Sequence, residues 1–212
     1  MNIDSPPRIR VKFGKTGDLC FIGHIDLQTL FERALRRSGL PLRYSQGFKP
    51  KARLNIASAL PLGFSSHAEL MDFWLDEPVL PQIILEALIK ALPSGLPVYE
   101  VKEVSNSLPS LQVALRSSEF QLTFEDNENL ATAKKNLDEL LAKPTLPFQR
   151  RNKSVDLRPM ISSAAWNGDG SLRLRLTATP GQTARPDEVL KLMGIEPEYV
   201  EIERTALFFS EE

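Results

Sequence analysis

The chain has 212 residues, 42% of them hydrophobic and 25% charged, with a net charge of −1, which suits one large or two small globular domains. One cysteine, Cys20, and two histidines, His24 and His67, exclude a disulfide framework, a four-cysteine or two-cysteine, two-histidine zinc site and a cysteine-ligated iron–sulfur cluster built from this chain alone. No run approaches the roughly 18 apolar residues of a membrane span, and the opening residues 1–7 have neither the basic nor the apolar region of a signal peptide. The expectation is a cytoplasmic protein with no membrane association, no cofactor and no metal.

In chain order, residues 8–14 alternate charged and apolar side chains at the period of a half-buried strand. Over 24–38 the apolar set Ile25, Leu27, Leu30, Phe31, Ala34 and Leu35 fits a helical face, and Gly39 supplies a left-handed stop. Residues 42–44, 53–59 and 70–75 read as extended, with Pro78 closing the last. Pro81 sits well as a first helical residue before the stripe Ile84, Leu85, Leu88 and Leu92, which ends before Pro93 and Gly95. Residues 98–104 make another strand, giving the order βαββαβ.

The second half repeats that order. Residues 119–125 alternate as a strand, and Leu130, Ala133, Leu137, Leu140 and Leu141 recur at helical spacing until Pro144. Residues 154–166 and 171–179 read as strands flanking Asn167-Gly168-Asp169-Gly170, a strong hairpin turn because these residues accept positive φ. Pro186 opens a short helix closed by Gly194, and 199–209 is the last strand. The expected fold is α+β, two tandem ferredoxin-like units, at 8–104 and 118–210 with a linker over 105–117; one continuous α+β domain is the competing arrangement.

Charge is concentrated at one end. Residues 1–55 hold 11 Lys or Arg against 4 Asp or Glu, a net +7, while 56–100 hold 1 against 6 and the remainder 14 against 17. That basic third points to a polyanion or a charged partner. There is no GxxxxGK[ST] loop, no GxGxxG and no GxSxG, so common nucleotide sites and a serine-hydrolase elbow are unsupported.

Within the basic third, His24 and Asp26 fall at a helix N-terminus, where free N–H groups and the helix dipole favour an anion. Asp26 is also the ordinary choice for a first turn. His24 is either a proton donor near a phosphate or a hydrogen-bonded structural residue. Arg33, Arg36 and Arg37 lie towards the helix C-terminus, where arginine is favourable whatever the function. Arg43, Lys49, Lys51 and Arg53 follow, with Tyr44 and Phe48 interleaved; aromatic faces among cations form a stacking and phosphate-binding surface for single-stranded RNA. The alternative is that the aromatics are core, above all Phe48 in a Gly47-Phe48-x-Pro50 turn. Ser45-Gln46-Gly47 is a candidate backbone nest for an anion. The basic run Gln149-Arg150-Arg151-Asn152-Lys153 reads as an exposed loop. Arg158 reads as a strand arginine pairing with a carboxylate such as Asp156. His67, next to Glu69, reads as a surface residue in a polar turn, and Cys20 as a small buried hydrophobe.

Several blocks carry a resemblance. They are 8–18 (Arg-Ile-Arg-Val-Lys-Phe-Gly-Lys-Thr-Gly-Asp), Gly23-His24-Ile25-Asp26-Leu27, 31–39, Tyr44-Ser45-Gln46-Gly47-Phe48-Lys49-Pro50 and Leu60-Pro61-Leu62-Gly63, then 155–159, 185–190 and 204–207. In these the chain resembles the radical-SAM-linked proteins, a bacterial family with a domain of unknown function. The resemblance implies a stand-alone protein or a C-terminal domain fused to a radical S-adenosylmethionine enzyme. This chain has no CxxxCxxC motif, so beside such an enzyme it is the accessory part. Gly23 stands where the family has Ser, and Lys51-Ala52 where it has His-Pro; the missing histidine favours binding over catalysis.

The function expected is an accessory binding module, with RNA and a radical SAM enzyme as its partners, acting in RNA or ribosome-related modification. The alternatives are a metal-independent RNA endonuclease using His24, with Lys51 or Arg53 stabilising the phosphate, and a domain that docks on a radical SAM partner.

Overall fold

The computed structural model describes residues 5–151 and 153–210. Residues 1–4, read above for a leader, and Asn152 of the basic run lie outside them. The chain is a mixed α+β protein that divides into two units: residues 5–115 with 209–210, and residues 116–208.

The first unit opens with strand β1 (Arg8–Lys15). Its apolar residues Ile9, Val11 and Phe13 are buried together with Leu27, Phe31 and Leu35 of helix α1 (His24–Arg37). The rings of Phe13 and Phe31 meet edge to face, 4.7 Å between centroids. A short strand β2 (Leu54–Ile56) and a long one, β3 (Ser65–Trp74), follow, then α2 (Pro81–Ala91) with Pro81 in its first turn, and β4 (Val98–Val104). Helix α3 (Leu111–Ala114) lies within the 105–117 segment. β1 pairs antiparallel with β3 and with β4, and β2 pairs antiparallel with β3, giving the order β4-β1-β3-β2. Ile84 and Leu88 of α2 join the same core, so both helices cover one sheet face. At the end of this unit the Ser210 N–H donates to the Ala114 carbonyl at 2.7 Å.

The opposite face of β1 is solvated only in part: Lys12 is exposed, but Arg10 is half-buried. Arg8 is buried, and its cross-strand neighbours Trp74 and Asp72 lie in β3. Asp72, wholly buried, accepts from Arg8 at 2.6 and 2.9 Å and from Arg10 at 2.8 and 3.0 Å. Two arginines sharing one carboxylate satisfy its lone pairs, the condition under which buried charge is tolerated.

Strand β3 starts five residues before the expected 70–75. Ser65, Ser66, His67 and Glu69 give that stretch the composition of a turn, yet Ser66 and Glu69 are buried. His67 is therefore a strand residue, and its Nδ1 contacts the Tyr99 hydroxyl of β4. Tyr99 reaches it beside Gly14, where an added Cβ would lie 2.6 Å from the tyrosine oxygen. Cys20 is buried, as its apolar neighbours suggest.

The second unit contains β5 (Leu115–Phe124) after its first residue, α4 (Asn127–Ala142), a separate hairpin of β6 (Pro147–Arg150) and β7 (Lys153–Asp156), then β8 (Ile161–Trp166), β9 (Leu172–Thr179), the two-residue β10 (Gln182–Thr183), α5 (Pro186–Leu192) and β11 (Val200–Phe209) up to its last residue. β8 pairs antiparallel with β9, β9 antiparallel with β5, and β5 neighbours β11. The Asn167–Gly170 turn joins β8 to β9, with the Gly170 N–H on the Asn167 carbonyl and Gly170 at φ 86°.

Two expectations fail in this unit. Residues 154–166 are not one strand: a 3-10 turn at Arg158–Met160 separates β7 from β8. Pro159 cannot donate to a ladder, and the Asp156 carboxylate instead accepts from the Arg158 N–H at 3.0 Å, closing an Asx turn. The basic run is not a plain loop either, because Arg150 ends β6 and pairs with Glu188 of α5.

Candidate nucleic-acid interface

Between Leu42 and Leu54 the first unit carries a loop closed at its neck. Tyr44 bridges to Ala52, the Arg53 N–H donates to the Arg43 carbonyl at 2.9 Å, and the Ser45 N–H donates to the Lys51 carbonyl at 2.8 Å. The Ser45 hydroxyl accepts from the Lys51 N–H at 3.1 Å. The tip, Gln46 to Pro50, projects from this neck with Gly47 at φ 144°. Phe48 is fully exposed, and Tyr44 is 40% exposed; the core position weighed for Phe48 is not where its ring lies. Arg43, Tyr44, Ser45, Gln46 and Pro50 line an open hollow of ≈ 350 Å³ with Asp76. Arg43 pairs with Asp76 at 3.1 Å, both exposed. Lys49 and Lys51 are exposed beside Phe48. Of the Ser45-Gln46-Gly47 nest, the first N–H is already engaged by Lys51.

Arg53 leaves this loop for the sheet. Its guanidinium lies 4.1 Å from the centre of the Trp74 ring, a cation–π contact. Trp74 is held in turn by its indole N–H on the Asn106 side-chain oxygen at 2.9 Å.

The α1 residues sit on a second surface. Asp26, Arg33 and Arg37 recur down one side of the helix and line an open groove of ≈ 730 Å³ with Thr29 and Lys90. Arg37 donates to the Ala91 carbonyl at 2.8 Å, satisfying the C-terminal end of α2. Arg33 and Arg36 are exposed; Arg36 is not among the groove residues. Lys90 was missed by the sequence reading, although one signal pointed to it: it is the only Lys or Arg between residues 56 and 100.

His24 is the first residue of α1, following Gly23, which makes no side-chain cap. Its Nδ1 is buried without a hydrogen-bond partner among the described residues. An acid–base histidine is normally oriented through its second nitrogen, and nothing in this environment does so. Exposed Phe21 and Ile25 flank it in sequence, at 73% and 78% exposure. Arg158 belongs to the second unit, where its Nε donates to the Leu141 carbonyl at 3.0 Å. It bridges the end of α4 to the 3-10 turn; Asp156 is occupied by backbone N–H groups of Leu146 and Arg158.

The structure thus brings Arg43, Tyr44, Ser45 and Gln46 together around one hollow, with Gly47, Phe48, Lys49 and Lys51 on the same loop. It brings Asp26, Arg33 and Arg37 together around another. Among the described residues no three His, Cys, Asp or Glu side chains stand together as a cation site would need, and no helix is long and apolar enough to cross a membrane.

The model of a family described as "Uncharacterized protein conserved in bacteria (DUF2344)" matches residues 8–186. No curated protein matches the chain.

Proposed function

From the premise that the chain belongs to the bacterial DUF2344 family, we propose that it is an RNA-binding accessory module. The observation that carries this is Phe48, a large aromatic ring held fully in water at the tip of a clamped loop with Lys49 and Lys51 beside it. Such a ring contributes nothing to the core, whereas base stacking on it, with phosphates on the flanking cations, is how sequence-tolerant single-strand binders work. Arg33 and Lys90 supply a second cationic surface, the groove beside α1.

Two ferredoxin-like units are the fold in this proposal. The order β4-β1-β3-β2, with helices after the first and third strands, supports it for the first unit. The order β8-β9-β5-β11 supports it for the second. The enzymatic partner in this reading is a radical SAM protein that modifies the bound RNA, consistent with the sequence resemblance and with the absence of a cluster motif in this chain.

The test is binding of the purified protein to cellular RNA across a salt series, with Phe48→Ser and Arg33→Glu/Arg36→Glu as variants. Salt-sensitive binding that both variants weaken is the expected result; no binding at low salt sets the reading aside.

A second reading, docking on a protein partner, is favoured by the exposed apolar residues Phe21, Ile25 and Leu62. Saturable binding to a radical SAM protein without RNA, lost in Ile25→Asp, is its signature. The endonuclease reading needs an oriented His24, which the unpartnered Nδ1 does not favour; RNA cleavage abolished by His24→Ala with binding intact would restore it.

A further inference from the structure

We infer that the hollow between β6 and α5 in the second unit binds a ribonucleoside phosphate, with the phosphate on Arg151 and Lys191 and a ribose hydroxyl on the Asp187 Oδ1 atom. This site belongs to the second unit and does not depend on the loop and groove of the first.

The hollow measures ≈ 560 Å³ and is lined by Phe148, Arg150, Arg151, Arg185, Asp187 and Lys191, among others; that is the size of an ordinary small-ligand site. Its base is rigid. Glu188, 1% exposed, accepts from the Arg150 Nε at 2.6 Å and from the Arg185 N–H at 3.1 Å. Arg150 also donates to the Thr183 carbonyl at 2.6 Å, and Arg185 pairs with the other Asp187 oxygen at 3.2 Å. These two arginines are therefore already engaged.

Three groups are left over. Arg151 and Lys191 are exposed, and the Lys191 charge lies near enough to Asp187 to favour its ionised form without pairing to its Oδ1 atom. Arg151 follows the last residue of β6 at φ 46°, a conformation that Asn or Gly adopts far more readily. The fold accepts a strained arginine where an unstrained residue would close the same hairpin. The third group is Asp187 Oδ1, buried and without a hydrogen-bond partner.

An unsatisfied carboxylate oxygen beside spare cations selects the ligand. A bare anion would be held by Arg151 and Lys191 but repelled by Asp187. A ligand that sets a hydrogen-bond donor next to its anion satisfies all three. A sugar phosphate does this, and the Phe148 ring on the same wall offers a face for a base. Burial already holds the Asp187 carboxyl above its usual range, with Arg185 opposing the shift; a donated hydroxyl relieves that penalty.

The experiment titrates 5′-AMP, 2′,3′-dideoxy-AMP and inorganic phosphate into the full chain by calorimetry, with Asp187→Ala and Arg151→Glu/Lys191→Glu as variants. AMP should saturate, and dideoxy-AMP should bind about tenfold more weakly, the loss expected of one hydrogen bond to a charged group. Asp187→Ala should lower AMP affinity by a similar factor while strengthening phosphate binding, since the carboxylate that repels a bare anion is gone. Arg151→Glu/Lys191→Glu changes only exposed side chains and should remove both ligands. A 5′-phosphorylated trinucleotide that binds more tightly than AMP identifies an RNA end as the source; equal or weaker binding identifies a free nucleotide. Absence of AMP saturation at about 10 mM, equal affinity for phosphate and AMP, or wild-type AMP affinity in Arg151→Glu/Lys191→Glu overturns the assignment.

Discussion

Arg8 and Asp72 meet across adjacent strands with two guanidinium nitrogens at 2.6 and 2.9 Å from one carboxylate oxygen, both residues shut away from water. Arg8 also donates to the carbonyls of Leu108 and Pro109 at 2.7 and 2.9 Å, so this one side chain ties β1 to the segment before α3. Asp72→Ala leaves Arg8 buried without its counter-charge and removes the carboxylate that Arg10 also donates to; the expected cost is about 3–5 kcal/mol, read from the urea midpoint. Asp72→Leu together with Arg8→Met should cost less than Asp72→Ala alone.

Phe48→Ser should behave in the opposite way. A fully exposed ring contributes within about 0.5 kcal/mol to stability, so the melting temperature should stay put. RNA affinity should fall by about 1–3 kcal/mol if one base stacks on the ring. A filter-binding series beside a thermal melt separates the two effects.

Gly95 sits where the chain turns from α2 towards β4. Its carbonyl accepts from the Thr16 N–H at 2.9 Å, and an added Cβ would lie 2.8 Å from the Thr16 carbonyl oxygen. Because the obstacle is backbone, it cannot rotate away. Gly95→Ala should cost about 1–3 kcal/mol, measured by chemical denaturation.

Asp187 predicts a pH signature. Burial raises its carboxyl above the ordinary value of 3.8, and Arg185 opposes the shift. Between the unfolded and folded values the native state holds more proton, so this group's contribution to stability declines as pH rises through that window. Asp187→Asn removes the penalty. Its melting temperature should exceed that of the wild type near neutrality, and the two should converge in acid below 3.8. Parallel curves at all pH values would contradict the assignment.

Local signals were legible. Helix α1 matched its apolar spacing to within one residue, β4 matched 98–104, and the Asn167–Gly170 turn was readable because two glycines and two Asx residues leave the backbone little alternative. What escaped was set by distant partners. Ser66 and Glu69 look like turn residues until the strand pairing buries them. Arg150 looks like a loop cation until Glu188 comes to it across 38 positions. Among the candidate site residues, Phe48's exposure follows from the closed neck of its loop, a pairing of Tyr44 with Ala52 that no short-range pattern encodes. Lys90 joined Arg33 and Arg37 only because α2 ends beside α1.

The bond from Ser210 to Ala114 has a consequence in time. Residues 209 and 210 belong to the first unit, yet they are translated after all of 116–208. At about 5–20 residues per second, a ribosome needs roughly 5 to 20 s between finishing Ala114 and supplying its partner. Throughout that interval the nascent first unit carries an open carbonyl at its margin. A truncation just before Phe209 would freeze the protein in that state, so removing only the residues from 209 onward should harm the N-terminal unit rather than the one they follow.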